Sequence, residues 1–184
     1  MNKDKKLPIG IQTFEKLITN NNYYVDKTLF IKSLTQSGEY YFLSRPRRFG
    51  KSLFLSTIKA AYQGKKELFQ GLYLEENWDW ATAHPVVHIS FGSGVIRDLQ
   101  ELQTTFDEIL YDHSLEYDID YAKQSLKGCF AELVHSLYKQ YSCGVVILVD
   151  EYDKPILDNI ENTDTAVVIR EELKNYYSVI KDSD

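Results

Sequence analysis

The chain has 184 residues, 43% of them hydrophobic and 26% charged, the balance of an ordinary globular protein and a length suited to one domain rather than two. Its formal net charge of −6 gives the surface as a whole no electrostatic case for binding DNA, RNA or an anionic membrane. No run approaches the roughly 20 apolar residues of a membrane span, and the charged start Met1-Asn2-Lys3-Asp4-Lys5-Lys6 lacks the apolar stretch of a secretory signal. The two cysteines, Cys129 and Cys143, sit in apolar sequence without CxxC spacing. They read as buried free thiols, and with the rest they place the chain in a reducing cytoplasm.

In chain order, residues 11–24 carry mixed apolar positions ending in Tyr23-Tyr24-Val25. Asp26-Lys27-Thr28 offers an N-cap for a short helix through Ile31 and Leu34, closed at Ser37-Gly38. Tyr40-Tyr41-Phe42-Leu43 is a short aromatic and apolar run, the signal of a buried strand. After a turn, Leu53, Leu55, Ile58 and Ala61 recur at helical spacing. Val86-Val87-His88-Ile89-Ser90-Phe91, entered through Pro85, predicts a second strand. Two amphipathic helices follow, one marked by Leu99, Leu102, Phe106, Ile109 and Leu110, the other by Leu126, Cys129, Phe130, Leu133 and Leu137. Val145-Val146-Ile147-Leu148-Val149 is apolar at every position, as in a strand covered on both faces. A last helix, capped near Thr163 or Asp164, carries Ala166, Ile169, Leu173, Tyr176, Tyr177 and Ile180. Strands separated by helices imply right-handed crossovers and a mostly parallel α/β sheet.

Between the first strand and its helix lies Ser44-Arg45-Pro46-Arg47-Arg48-Phe49-Gly50-Lys51-Ser52. The Walker A template, G-x-x-x-x-G-K-[ST] between a strand and a helix, points backbone N–H groups at phosphates from the positive end of the helix. Its lysine adds a cation for the β and γ oxygens, and its hydroxyl ligates magnesium. Gly50, Lys51 and Ser52 fit, while Arg45 stands where the template has its first glycine. A basic turn ahead of an amphipathic helix is the ordinary alternative. The expected phosphate-binding residues are Arg48, Phe49, Gly50, Lys51, Ser52 and Leu53, with Ser52 on the metal. Arg45, Arg47 and Arg48 are open to three readings: charge at the nucleotide or against a partner's acidic group, a solvated loop, or a nucleic-acid contact that the overall acidity opposes.

The all-aliphatic strand runs into Asp150-Glu151, the Walker B pattern. In a parallel sheet ligands gather at the carboxyl ends of strands, where these acids emerge. Asp150 is the expected magnesium residue and Glu151 the expected general base, polarising a water for attack on the γ-phosphate, with Lys51 as its catalytic partner. Two solvated acids leaving a core are the alternative. A strand–GKS–helix followed about a hundred residues later by an apolar strand–DE, in the right order, favours nucleotide binding. Asp153, in Asp150-Glu151-Tyr152-Asp153-Lys154-Pro155, orients the site or caps the turn.

With Gly10-Ile11-Gln12-Thr13-Phe14 and Tyr24-Val25-Asp26-Lys27-Thr28, these segments resemble the AAA-ATPase-like domain family, P-loop NTPases of Bacteroidetes type often fused to a PD-(D/E)XK nuclease domain. The match runs over nearly the whole chain. In that family Arg-Pro-Arg-Arg-Phe-Gly-Lys followed by Ser or Thr is the working phosphate loop, so Arg45 no longer counts against the assignment. The resemblance implies a three-layer P-loop fold with helices on both faces of a parallel sheet, and ATP and magnesium as ligands. It implies one domain over residues 1–184: an N-terminal helical segment 1–38 and an α/β core 39–184, truncated before the strand that carries a sensor residue. Nothing in the chain matches the nuclease motif, and weak hydrolysis is expected of this piece alone.

Other residues read as structural. His84 and His88 are four apart but separated by Pro85, and His113 and His135 are scattered, so no metal site beyond magnesium is expected. Trp78 and Trp80 read as loop packing rather than base stacking, and Asp26 as a nucleotide contact, a loop brace or a helix cap. Fourteen tyrosines suggest an aromatic core, or an interface for a protein partner or effector domain. Two functions follow: a magnesium-dependent ATPase driving a conformational switch, or a non-catalytic nucleotide sensor gating an attached effector such as a nuclease.

Overall fold

The computed structural model describes residues 5–44 and 49–183. Two compact units divide the chain, Met1–His84 and Pro85–Asp184.

In the first unit, α1 (Phe14–Thr19), α2 (Thr28–Ser37), α3 (Lys51–Tyr62), a 3-10 turn (Lys66–Phe69) and the single turn α4 (Leu74–Asn77) surround a small aromatic core. Phe14, Phe69 and Leu74 are fully buried. The Phe14 ring meets Tyr24 at 5.0 Å and Phe69 at 4.9 Å, and Trp80 covers Phe69 at 5.0 Å. Trp80 donates its indole N–H to Glu75 O at 2.9 Å, so the tryptophans are packing residues.

Asp26 is a loop brace. Its Oδ1 accepts from Thr28 N at 2.8 Å and Thr28 Oγ1 at 2.7 Å, and its Oδ2 accepts from Tyr73 N at 2.7 Å. Thr28 Oγ1 in turn accepts from Leu74 N at 3.2 Å, so the starts of α2 and α4 are pinned together. Desolvation raises the Asp26 carboxyl, but the bonds from Thr28 and Tyr73 outweigh it and hold the group below its ordinary value.

The strand expected at Tyr40-Tyr41-Phe42-Leu43 is absent. These residues form no strand, and Tyr40, Tyr41 and Phe42 are exposed. Tyr41 instead folds back and donates its hydroxyl to Leu34 O and Gly38 O, satisfying carbonyls at the end of α2.

In the second unit, β1 (Val86–Ser90) and β2 (Val146–Asp150) pair in parallel, with Val86 opposite Val146 and Ser90 opposite Asp150. Around them lie α5 (Leu99–Tyr117), α6 (Leu126–Tyr141), the single turn α7 (Lys154–Leu157) and α8 (Thr163–Asp182). The three long helices start where side chains take up free N–H groups: Asp98 accepts from Glu101 N, Ser125 from Gly128 N and Asn162 from Thr165 N. The last cap lies one residue ahead of the expected Thr163. Val87, Ile89 and Phe91 bury against Phe106 of α5, Phe130 and Leu133 of α6, and Ile169 and Leu173 of α8. Phe106 stacks on Tyr176 with ring centroids 4.0 Å apart, which places at least one tyrosine in the core.

Ladder geometry turns the N–H and C=O of Val86 and His88 away from β2. Side chains of α5 take that edge. The Tyr117 hydroxyl accepts from Val86 N at 2.9 Å and donates to Val86 O at 3.0 Å. His113 Nδ1 lies 3.2 Å from Glu116 Oε2, and Nε2 lies 3.1 Å from His88 N. Nε2 also lies 3.2 Å from His88 O, so the ring meets both outward groups of His88.

The described residues form a mixed α/β structure with a two-stranded parallel sheet, short of the three-layer sheet expected. β2 is correspondingly less covered than its all-aliphatic sequence predicts: Leu148 and Asp150 are buried while Val146, Ile147 and Val149 are half-buried. Cys129 and Cys143 form no disulfide; the first is buried and the second half-buried. Among the described residues no helix is long and apolar enough to cross a membrane.

Candidate functional site

The residues singled out for phosphate binding open α3. Gly50 precedes the helix at φ +73°, in the left-handed region, and its carbonyl accepts the first helical bond from Phe54 N at 3.0 Å. A Cβ there meets nothing within 4 Å, so the demand for glycine comes from the backbone alone. Gly50, at the N-cap, has no side chain to offer the helix, and the first turn holds no acid, so Lys51, Ser52 and Leu53 lie at the positive end of the helix dipole. Lys51, Ser52 and Leu53 are half-buried and Phe49 is exposed. The helix is anchored further along: Ser56 Oγ accepts from Phe14 N at 2.9 Å, and Thr57 Oγ1 donates to Leu53 O at 2.8 Å. Arg48, with Arg45, Pro46 and Arg47, lies outside the described residues.

The two acids sit at the carboxyl end of β2. Asp150 is 8% exposed, and its Oδ1 accepts from Glu151 N at 3.0 Å. Glu151 is exposed and adopts φ +53°, a conformation rare outside glycine, asparagine and aspartate. Ser90 is the register partner of Asp150, and its Oγ accepts from Gly92 N at 3.3 Å. A Cβ on Gly92 would stand 3.4 Å from Ser90 Oγ and 3.6 Å from Glu151 Cγ, ordinary contact distances, so Gly92 lies beside the Glu151 stem. Asp153 precedes α7 without a side-chain cap; its carbonyl accepts from Ile156 N and Leu157 N.

Each half is thus assembled inside its own unit: Gly50, Lys51, Ser52 and Leu53 in one helical turn, and Asp150, Glu151, Ser90 and Gly92 at one end of the strand pair. Ser90 and Gly92 were not singled out from the sequence, although Gly92-Ser93-Gly94 behind a predicted strand is a signal of close backbone approach.

The family model described as "Predicted AAA-ATPase" matches residues 8–184. The chain belongs to this family. Membership supports nucleotide binding and a P-loop NTPase character. A protein of Azotobacter chroococcum mcd 1, described as "Uncharacterized protein in vnfD 5'region", is 50% identical over 181 residues, which is 98% of this chain. The chain spans 35% of the length of that relative. No solved structure matches the chain.

The donor chemistry suits the ligands that the family implies. A left-handed glycine at a helix start suits phosphate oxygens. The Ser52 hydroxyl and the buried Asp150 carboxylate are hard oxygen donors of the kind magnesium takes. Among the described residues no three or more His, Cys, Asp or Glu side chains gather to hold a metal by themselves.

Proposed function

We propose that the chain binds ATP with magnesium and hydrolyses it to drive a conformational switch. The observation that carries this reading is Gly50 at φ +73° ahead of a helix that begins Lys51-Ser52, in a chain of the Predicted AAA-ATPase family. The N–H groups of residues 50–53 and the Lys51 ammonium hold the phosphates, with Arg48 and Phe49 completing the loop. Ser52 and Asp150 would hold magnesium, which when bound supplies charge neutralisation on the phosphate oxygens. Glu151 takes a proton from water as its oxygen attacks the γ-phosphorus and ADP leaves.

The relative's greater length favours a second role for the same site, a sensor whose nucleotide state gates an effector elsewhere in a longer protein. Two cysteines that form no disulfide fit a cytoplasmic location.

Equilibrium binding of Mg-ATP and steady-state turnover test both roles. Lys51→Ala is expected to weaken binding by about 30-fold or more, as loss of a charge-assisted contact implies. Glu151→Gln is expected to keep affinity and lose about 100-fold or more in turnover. Chelating magnesium should abolish turnover. Binding without turnover in the wild type supports the sensor. Wild-type affinity in Lys51→Ala overturns the site.

A further inference from the structure

We propose that Lys154, Asp158 and Asn159 form a clamp that positions Glu151 by locking the loop after β1 to the turn after β2. Lys154 Nζ donates to Gly94 O and to Asp158 Oδ2, both at 2.6 Å. Asp158 Oδ2 also accepts from Ile96 N at 3.0 Å. Asn159 Nδ2 donates to Ile96 O at 2.6 Å and to Pro155 O at 3.0 Å. Three side chains of one short segment therefore hold both peptide groups of Ile96 and the carbonyl of Gly94, some sixty residues away in sequence.

An exposed lysine–aspartate pair at i,i+4 contributes little and needs no further partner. Here the Lys154 and Asp158 side chains are only 20% and 18% exposed, Asn159 is buried, and each reaches across to the opposite loop. Lys154 also donates its backbone N–H to Glu151 O at 3.0 Å. One residue thus grips Glu151 through its main chain and the β1 loop through its side chain. That loop carries Gly92, the residue beside the Glu151 stem. Glu151 has the left-handed conformation that persists only where the surroundings hold it. Fixing residues 92–96 against 151–159 supplies that hold. Lys154, Asp158 and Asn159 are positioning residues, and their role in turnover rests on Glu151 being the water-polarising group.

The test uses the whole chain with Mg-ATP and the variants Lys154→Met, Lys154→Arg, Glu151→Gln and the double Glu151→Gln/Lys154→Met. Lys154→Met is expected to lower kcat by about 10-fold or more, with affinity within about 3-fold of wild type, as for an interaction that matters only during the chemical step. Lys154→Arg, which keeps donors for both acceptors, should recover most of the loss. The double variant should turn over no more slowly than Glu151→Gln alone, because residues acting as one unit are not additive. Hydrogen exchange should accelerate across residues 92–97 in Lys154→Met, while β1 itself stays protected.

If Glu151→Gln hydrolyses ATP like wild type, the water-polarising role falls and the positioning role falls with it. If Glu151→Gln is inactive while Lys154→Met matches wild type, or the two losses add, the clamp is overturned and the base stands. Should the wild type show no turnover, the catalytic role is lost, and unchanged exchange over residues 92–97 then rejects the clamp as a structural device as well.

Discussion

Removal of one oxygen from Tyr117 is expected to cost more than the deletion of most surface side chains. Tyr117→Phe keeps the ring, which is 8% exposed, and deletes only the hydroxyl that bridges Val86 N and Val86 O. Val86 is fully buried and both groups face away from β2, so no strand takes over their bonds. A buried donor or acceptor left without a partner costs about 1–3 kcal/mol, so two together cost about 2–6 kcal/mol. That is a large part of the ~5–15 kcal/mol stability of a typical domain. At a few degrees per kcal/mol, the melting temperature should fall by about 5–15 °C. Urea titration followed by far-ultraviolet circular dichroism measures the loss, with Tyr138→Phe as a control because Tyr138 is 58% exposed. A Tyr117→Phe protein within about 0.5 kcal/mol of wild type, at an unchanged denaturant slope, would refute the edge-sealing role.

Two further outcomes are expected. Gly50→Ala should cost about 1–2 kcal/mol of strain, because an L-residue resists the left-handed backbone even where its Cβ has space; ATP affinity should fall with it, and unaltered binding and stability would contradict the cradle geometry. Asp26 has a folded-state carboxyl below its ordinary 3.8, so its contribution is full above that pH and is lost as pH falls through the lowered folded value. The stability gap between wild type and Asp26→Asn, about 1 kcal/mol near neutrality, should therefore close in acid, and a gap that stays constant down to pH ~2 would remove the brace.

Local patterns were legible where one face of an element decides its structure. Leu102, Phe106 and Leu110, and Phe130, Leu133 and Leu137, follow the helical period because each buries one stripe, and α5 and α6 sit where that period places them. Tyr40-Tyr41-Phe42-Leu43 shows the opposite. Four apolar residues have no period to read, and what Tyr41 does is set by the unsatisfied carbonyls at the end of α2. Helix α1 is too short to show a period, and it is held by a bond from Phe14 N to Ser56 in a helix forty residues on. The candidate site divides the same way. Gly50-Lys51-Ser52 and Asp150-Glu151 are contiguous and could be read directly. Ser90, Gly92 and the Lys154 clamp become neighbours of the acids only through the pairing of β1 with β2 and the closing of the loops beyond it.

The contact between α5 and β1 works as a gear. Four residues of helix advance about 6 Å, and two residues of strand advance about 6.6 Å. Tyr117 and His113 therefore step along the helix at nearly the pitch at which Val86 and His88 present their outward amides, in antiparallel sense. A single residue inserted between the two teeth would swing one of them about 100° around the helix and disengage it. Lineages of this chain should accordingly accept length changes in the loop at residues 118–125 far more readily than within residues 113–117.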